Sequence, residues 1–87
     1  MATVWIPVTL RSLSGGLETV ELEGRNLRQL IVALDNQFPG IKARLCEGDA
    51  LRPGIAASVD GQIANLGLLQ PVAANSEVHF VLAVAGG

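Results

Sequence analysis

One stretch of helical periodicity divides a chain that is otherwise patterned as strands. Asn26 is followed by apolar residues at the i, i+3, i+4 spacing of one helix face, and Gln29 stands where a capping box places its acceptor. Pro39-Gly40 stops the pattern. The sequence therefore predicts one main helix, with its apolar stripe formed by Leu27, Leu30, Ile31, Leu34 and Phe38.

The segments on either side of this helix alternate as strands do. Residues 3 to 11 and 17 to 23 predict a hairpin around Gly15-Gly16. Pro7 does not fit this pattern, because proline cannot donate a backbone hydrogen bond, so we expect a bulge or an unpaired edge there. After a short helical turn at residues 41 to 47 and a loop at 48 to 54, which we expect to be mobile, Ile55 to Val59 turns at Asp60-Gly61 into a return strand at 62 to 64.

The last run is apolar on both faces. Val78, Phe80, Leu82 and Val84 take one side, and His79, Val81 and Ala83 take the other. A strand of this kind belongs in the middle of a sheet. The predicted order is β, β, α, β, β, β, which is an α+β single domain over residues 1 to 87 with a flexible tail at 84 to 87.

Composition argues against several classes of partner and of metal site. The formal net charge is −2, and no cluster of basic residues exists that could neutralise a row of phosphates, which argues against nucleic acid as a partner. No apolar run approaches a membrane span, and without a basic leader we expect a cytoplasmic protein. Cys46 is the single cysteine, which disfavours a disulfide, a zinc site and an iron–sulfur cluster. We read it as a small, partly buried apolar residue near a helix end.

A hairpin, one long helix and a final strand that runs into Gly86-Gly87 resemble the β-grasp fold of ubiquitin and its bacterial relatives. The Ile6-Pro7 pair, Leu10-Arg11 and Gly15-Gly16 are similar to the MoaD/ThiS family of sulfur carriers. That family contains the molybdopterin synthase small subunit, the thiamine carrier and the actinobacterial cysteine-biosynthesis carrier. The ending Ala83-Val84-Ala85-Gly86-Gly87 looks most like the last of these.

The resemblance implies a protein cosubstrate rather than an enzyme. Gly87 would carry the working carboxylate, which a separate E1-like enzyme adenylates with ATP and converts to a thiocarboxylate. A biosynthetic enzyme would then accept the sulfur. Gly86 would give access to a narrow active site, because glycine lacks a Cβ, and four extended residues from 84 to 87 reach about 13 Å. The carrier itself would bind no cofactor.

Two other functions stay open. A ubiquitin-like modifier would use the same terminus to form an isopeptide with a target lysine, although Lys42 is the only lysine here for chain formation. A plain interaction domain with an inert tail is the third possibility.

The expected partner-binding surface is the outer side of the last strand, because an exposed apolar face on a monomer usually marks an interface. It comprises His79 and Val81, continuing into the tail through Ala83, Val84 and Ala85. By parity Trp5 either covers a sheet edge or joins this patch, and Glu18, Glu21 and Glu23 read as a solvated strand face.

Overall fold

The computed structural model describes residues 1–82, which form a mixed sheet with helices on one side. The main helix is α1 (Leu27–Gln37), followed by the short α2 (Ile41–Leu45). Single 3₁₀ turns lie at Val8–Leu10 and Gly67–Leu69. The strands are β1 (Ala2–Trp5), β2 (Thr19–Leu22), β3 (Cys46–Glu47), β4 (Ala50–Leu51), β5 (Ile55–Val59), β6 (Gln62–Ile63) and β7 (Glu77–Leu82).

Strand β7 lies in the middle of the five-stranded sheet, whose order is β2-β1-β7-β5-β6. It runs parallel to β1 and antiparallel to β5, while β1 pairs with β2 and β5 with β6 in antiparallel fashion. The prediction that the last strand is central is confirmed, as is the α+β, β-grasp class. Among residues 1–82, no helix is long and apolar enough to cross a membrane.

The inner face of the sheet packs against α1 in one hydrophobic core. Every α1 residue of the predicted stripe from Leu27 to Leu34 is buried, and Phe38 is half-buried at the end of the helix. From the sheet, Val4, Ala57, Val78 and Phe80 complete the core, with Ile41 and Leu45 of α2 at its side. Removing this apolar surface from water is the main stabilising contribution in a domain of this size.

The start of α1 is held as the sequence predicts, with one difference. Asn26 Oδ1 accepts a hydrogen bond from the Gln29 backbone N–H at 2.9 Å. The Gln29 side chain, however, accepts from the backbone N–H of Arg25 at 2.8 Å rather than from that of Asn26. The box is therefore closed one residue earlier than its usual form.

The predicted first strand is wrong beyond Trp5. The Ile6 N–H still bonds to the Glu18 carbonyl at 2.8 Å, but Pro7 then begins a 3₁₀ turn in which Leu10 N–H donates to the Pro7 carbonyl. Proline lacks a backbone donor, so it ends the ladder rather than continuing it. Val8, which continued alternation from Val4 and Ile6 would place on the buried side, is consequently 74% exposed.

One further expectation needs correction. The loop at 48 to 54 is partly ordered as strand, because β3 and β4 form a small separate hairpin with Cys46 opposite Leu51. The predicted element order lacked both these strands. The outer face of the last strand is open, as the sequence analysis expected, and Val81 is 52% exposed.

Candidate functional site

Strand β7 carries the chain towards its C-terminus from the centre of the sheet. Residues Glu77 to His79 pair with β1, and Val78 to Leu82 pair with β5, so that His79 lies opposite both Trp5 and Ser58. These pairings hold the strand in the sheet as far as Leu82. Five predicted site residues follow Leu82 in the sequence and lie outside the described residues: Ala83, Val84, Ala85, Gly86 and Gly87.

The strand register defines which side chains share the outer face of the sheet, the face opposite α1. Residues directly opposite one another on paired strands point to the same side. The residues of this outer face are Thr3, Trp5, Thr19, Glu21, Ala56, Ser58, Ile63, Glu77, His79 and Val81. His79 and Val81 lie on it as predicted.

Trp5 joins the apolar patch rather than covering an edge, which resolves the two alternatives. Its ring stacks on that of His79, with 5.1 Å between ring centroids and 13° between the planes. The indole Nε1–H also donates a hydrogen bond to Glu77 Oε1 at 3.1 Å. The indole is thus fixed in orientation by one contact on its ring face and another at its polar edge.

The outer face is organised in rows that cross the strands. The row furthest from the chain end contains Glu21, Thr3 and Glu77 on β2, β1 and β7. The next row is centred on the stacked Trp5 and His79, and the row nearest the chain end contains Ala56 and Val81. The face therefore changes from acidic to aromatic to aliphatic towards the tail.

Asp60 fixes the beginning of β7, a role that the sequence analysis missed. Its carboxylate accepts hydrogen bonds from the Glu77 backbone N–H at 2.9 Å and from the Ser76 hydroxyl at 2.8 Å. These two donors, the backbone N–H first, lower the pKa of Asp60 because they stabilise the charged form. Asp60 also adopts a positive φ of 52° ahead of Gly61, so the Asp-Gly turn signal was the available clue.

Cys46 is placed as a structural residue. It is buried at the end of α2, and desolvation raises the pKa of its thiol, although Lys42 and Arg52 act in the opposite direction. The protonated thiol is a poor nucleophile at neutral pH. The prediction of a small buried apolar residue is confirmed, and the glutamates Glu18, Glu21 and Glu23 are all exposed.

A mixed five-stranded sheet with one main helix across it, and a central final strand, defines this protein as a ubiquitin-like domain of the β-grasp class. The chain belongs to the ThiS family, whose family model matches residues 4–87. The resemblance drawn from the residues alone is thereby confirmed, and the match places the protein among the ubiquitin-like sulfur carriers.

Solved structures give the same assignment. A chain of the Amycolatopsis orientalis BexX/CysO complex is 32% identical over the full length of both chains, with a TM-score of 0.94. Mycobacterium tuberculosis CysO, described as an antigen, is 28% identical over 97% of this chain and 100% of that one, with a TM-score of 0.89. SAMP1 from Haloferax volcanii is 22% identical over 99% and 98%, with a TM-score of 0.75, and so shares the fold alone. Comparison with curated proteins gave no match.

Proposed function

We propose that this protein carries sulfur as a thiocarboxylate on Gly87 for a biosynthetic enzyme. The observation that carries the proposal is the family match, which extends through the terminal Gly86-Gly87. The end of a central strand held in the sheet suits such a group, because the domain can dock while the terminus enters an active site.

The chemistry requires two steps, both performed by a partner. The Gly87 carboxylate attacks the α-phosphorus of ATP and expels pyrophosphate, which gives an acyl adenylate. Sulfide then attacks the acyl carbon, the C–O bond to AMP breaks, and AMP leaves with the bonding electrons. The resulting thiocarboxylate donates sulfur to the acceptor enzyme without releasing free sulfide.

The side chains of the domain support a role as cosubstrate. His79, the only histidine in the sequence, is stacked on Trp5 at the surface, and the Cys46 thiol is buried with a raised pKa. Neither has the nucleophile–base geometry that side-chain catalysis uses. The solved chain that is 32% identical comes from a BexX/CysO complex, and we infer that this chain likewise works in complex with an enzyme.

We place the activating enzyme on the outer face, over His79, Val81 and Trp5, with Ala83, Val84 and Ala85 leading to its active site. Exposed apolar side chains beside the strand that carries the tail support this placement. The enzyme belongs to the E1-like class, and ATP is its substrate rather than a cofactor of the carrier.

The test is an intact-mass measurement. The purified chain is incubated with an E1-like adenylating enzyme from the same source, ATP and sulfide. That enzyme is recognised by pyrophosphate exchange that requires the chain. Replacement of one oxygen by sulfur at the terminus would support the carrier function, whereas adducts with other proteins would support the modifier. An unchanged mass under conditions of active exchange would refute the carrier function.

The receiving pathway follows from a second measurement. Thiocarboxylated chain is mixed separately with a cysteine-synthase-like enzyme, a molybdopterin synthase large subunit and a thiazole-forming enzyme from the same source. The acceptor is the one that returns the carrier to its unsulfurated mass.

A further inference from the structure

The proposed function does not explain one feature of the outer face, the row formed by Glu21, Thr3 and Glu77, which is called the acidic row below. Thr3 lies directly opposite Glu21 on one side and opposite Glu77 on the other. Because neighbouring strands are about 4.8 Å apart, the backbones of the two glutamates are about 10 Å apart, and only Thr3 lies between them. A guanidinium or ammonium group fits between such carboxylates and can contact both.

Neither Glu21 nor Glu77 is in an ion pair within residues 1–82. The ion pairs there join Arg11 to Glu18 and Arg28 to Asp49, and neither includes the row. The Glu77 carboxylate is nevertheless held in place, since one of its oxygens accepts from Trp5 Nε1 at 3.1 Å.

Four of the six basic residues lie on the helices or contact them. Arg28 lies on α1, Lys42 and Arg44 lie on α2, and Arg52 Nε donates to the Ala43 carbonyl of α2. The other two, Arg11 and Arg25, lie in the segments before and after β2, so none of the six is among the residues of the outer face. A partner that docks on the outer face therefore meets a negative surface next to an apolar one.

The acidic row is also continuous with the surface that leads to the reacting end. The stacked Trp5 and His79 separate it from Val81, and only six residues follow Val81 to the terminus. An enzyme that acts on Gly87 must lie close to the end of β7, and its body then extends over the outer face.

We propose that the partner is an enzyme with a basic docking surface, which places an arginine or lysine between Glu21 and Glu77 and apolar side chains over Trp5, His79 and Val81. This proposal rests on the proposed function, because it assumes that the partner acts at Gly87. The apolar part supplies most of the affinity. The charged part increases the rate of association and orients the carrier so that its C-terminus faces the active site of the enzyme.

The test uses the adenylating enzyme identified above and the double variant Glu21→Gln/Glu77→Gln. Glutamine keeps the shape of glutamate, and its carbonyl oxygen can still accept from Trp5. The matched control is Glu47→Gln/Asp49→Asn, which changes net charge by the same amount on the β3–β4 hairpin. The rate of pyrophosphate exchange is measured as a function of carrier concentration at ~20 mM and at ~500 mM salt. Surface charges are screened weakly at the lower salt concentration and strongly at the higher one.

At ~20 mM salt we expect the double variant to raise KM about three- to tenfold and to leave kcat unchanged, as two contributing surface charges would. Salt should raise KM for the wild type and the control, but hardly at all for the double variant. Glu21 is exposed and its side chain makes no hydrogen bond or ion pair within residues 1–82. Glu21→Gln alone should therefore show an intermediate effect and the wild-type melting temperature.

Equal KM values for the wild type and double variant, with the same salt dependence, would overturn this inference while leaving the carrier function intact. So would an equal rise in KM for the control, because the cause would then be net charge rather than the acidic row. A wild-type chain that supports no exchange would overturn the proposed function and this inference together.

Discussion

Phe80→Ala is the most direct test of how the two faces of β7 are assigned. Phe80 is 8% exposed, lies opposite Ala57 of β5, and belongs to the core beneath α1. Truncating a buried phenylalanine to alanine costs about 3–5 kcal/mol, which combines lost transfer free energy with the cavity that remains. Because a small part of the ring reaches solvent, we expect a loss near 3 kcal/mol.

The expected loss can be converted to a melting temperature. At about 2.1 cal/mol/K per residue, the unfolding entropy of an 87-residue domain is about 0.18 kcal/mol/K. A loss of about 3 kcal/mol therefore lowers the midpoint by about 16 °C. Thermal unfolding followed by far-ultraviolet circular dichroism measures this shift, and urea titration followed by Trp5 fluorescence gives the free energy of unfolding independently.

Val81→Ala is the matched control on the neighbouring residue of the same strand. Val81 is 52% exposed on the outer face, so the change removes little buried surface. Only the lower strand preference of alanine remains, at most about 1 kcal/mol. If Val81→Ala were the more destabilising of the two, the register of β7 would be shifted by one residue and the reasoning would be wrong.

Three further predictions concern the tail, the docking face and pH. Deleting Gly87 should abolish thiocarboxylate formation and leave the melting temperature unchanged, because the new terminal carboxylate would stop about 3.3 Å short of the nucleotide in the adenylating enzyme. Thiocarboxylate formation at the normal rate would contradict the carrier function. Val81→Asp should raise KM for adenylation without unfolding the domain, and normal kinetics would exclude this docking face. Asp60 has a lowered pKa in the folded state, so its contribution to stability is present above its ordinary value near 3.9 and is lost as pH falls through the lower folded value. Asp60→Asn should accordingly flatten the acid side of the stability profile, and curves of identical shape would show that the hydrogen bonds to Ser76 and Glu77 are not linked to its ionisation.

Much of the fold could be predicted because its signals are local. Asn26 and the stripe after it specify α1 through contacts within a few residues, and the structure has its cap and its buried face as expected. The apolar run from Val78 indicated a central strand, and the strand is central. Asp60-Gly61 indicated a turn, and both residues adopt positive φ there. Periodicity and turn chemistry suffice for such features because neighbouring residues decide them.

The site was predicted less completely. His79 and Val81 were assigned to the outer face from the alternation of their own strand, which needs no partner. The extent of the first strand was wrong because Pro7 ends the pairing, and alternation continues past a residue that cannot donate. The roles of the tail residues, on which the proposed chemistry depends, stay predictions.

Only the tertiary structure decided which side chains meet across strands. Trp5 and Glu77 are 72 residues apart in sequence, yet the parallel register of β1 and β7 brings an indole N–H to a carboxylate. That register and the antiparallel register of β1 with β2 together form the row of Glu21, Thr3 and Glu77. The sequence by itself determined the period of each element and the identity of its terminal Gly-Gly. Register is a relation between distant segments, set by how the whole core packs, and it is therefore decided only when the sheet is assembled.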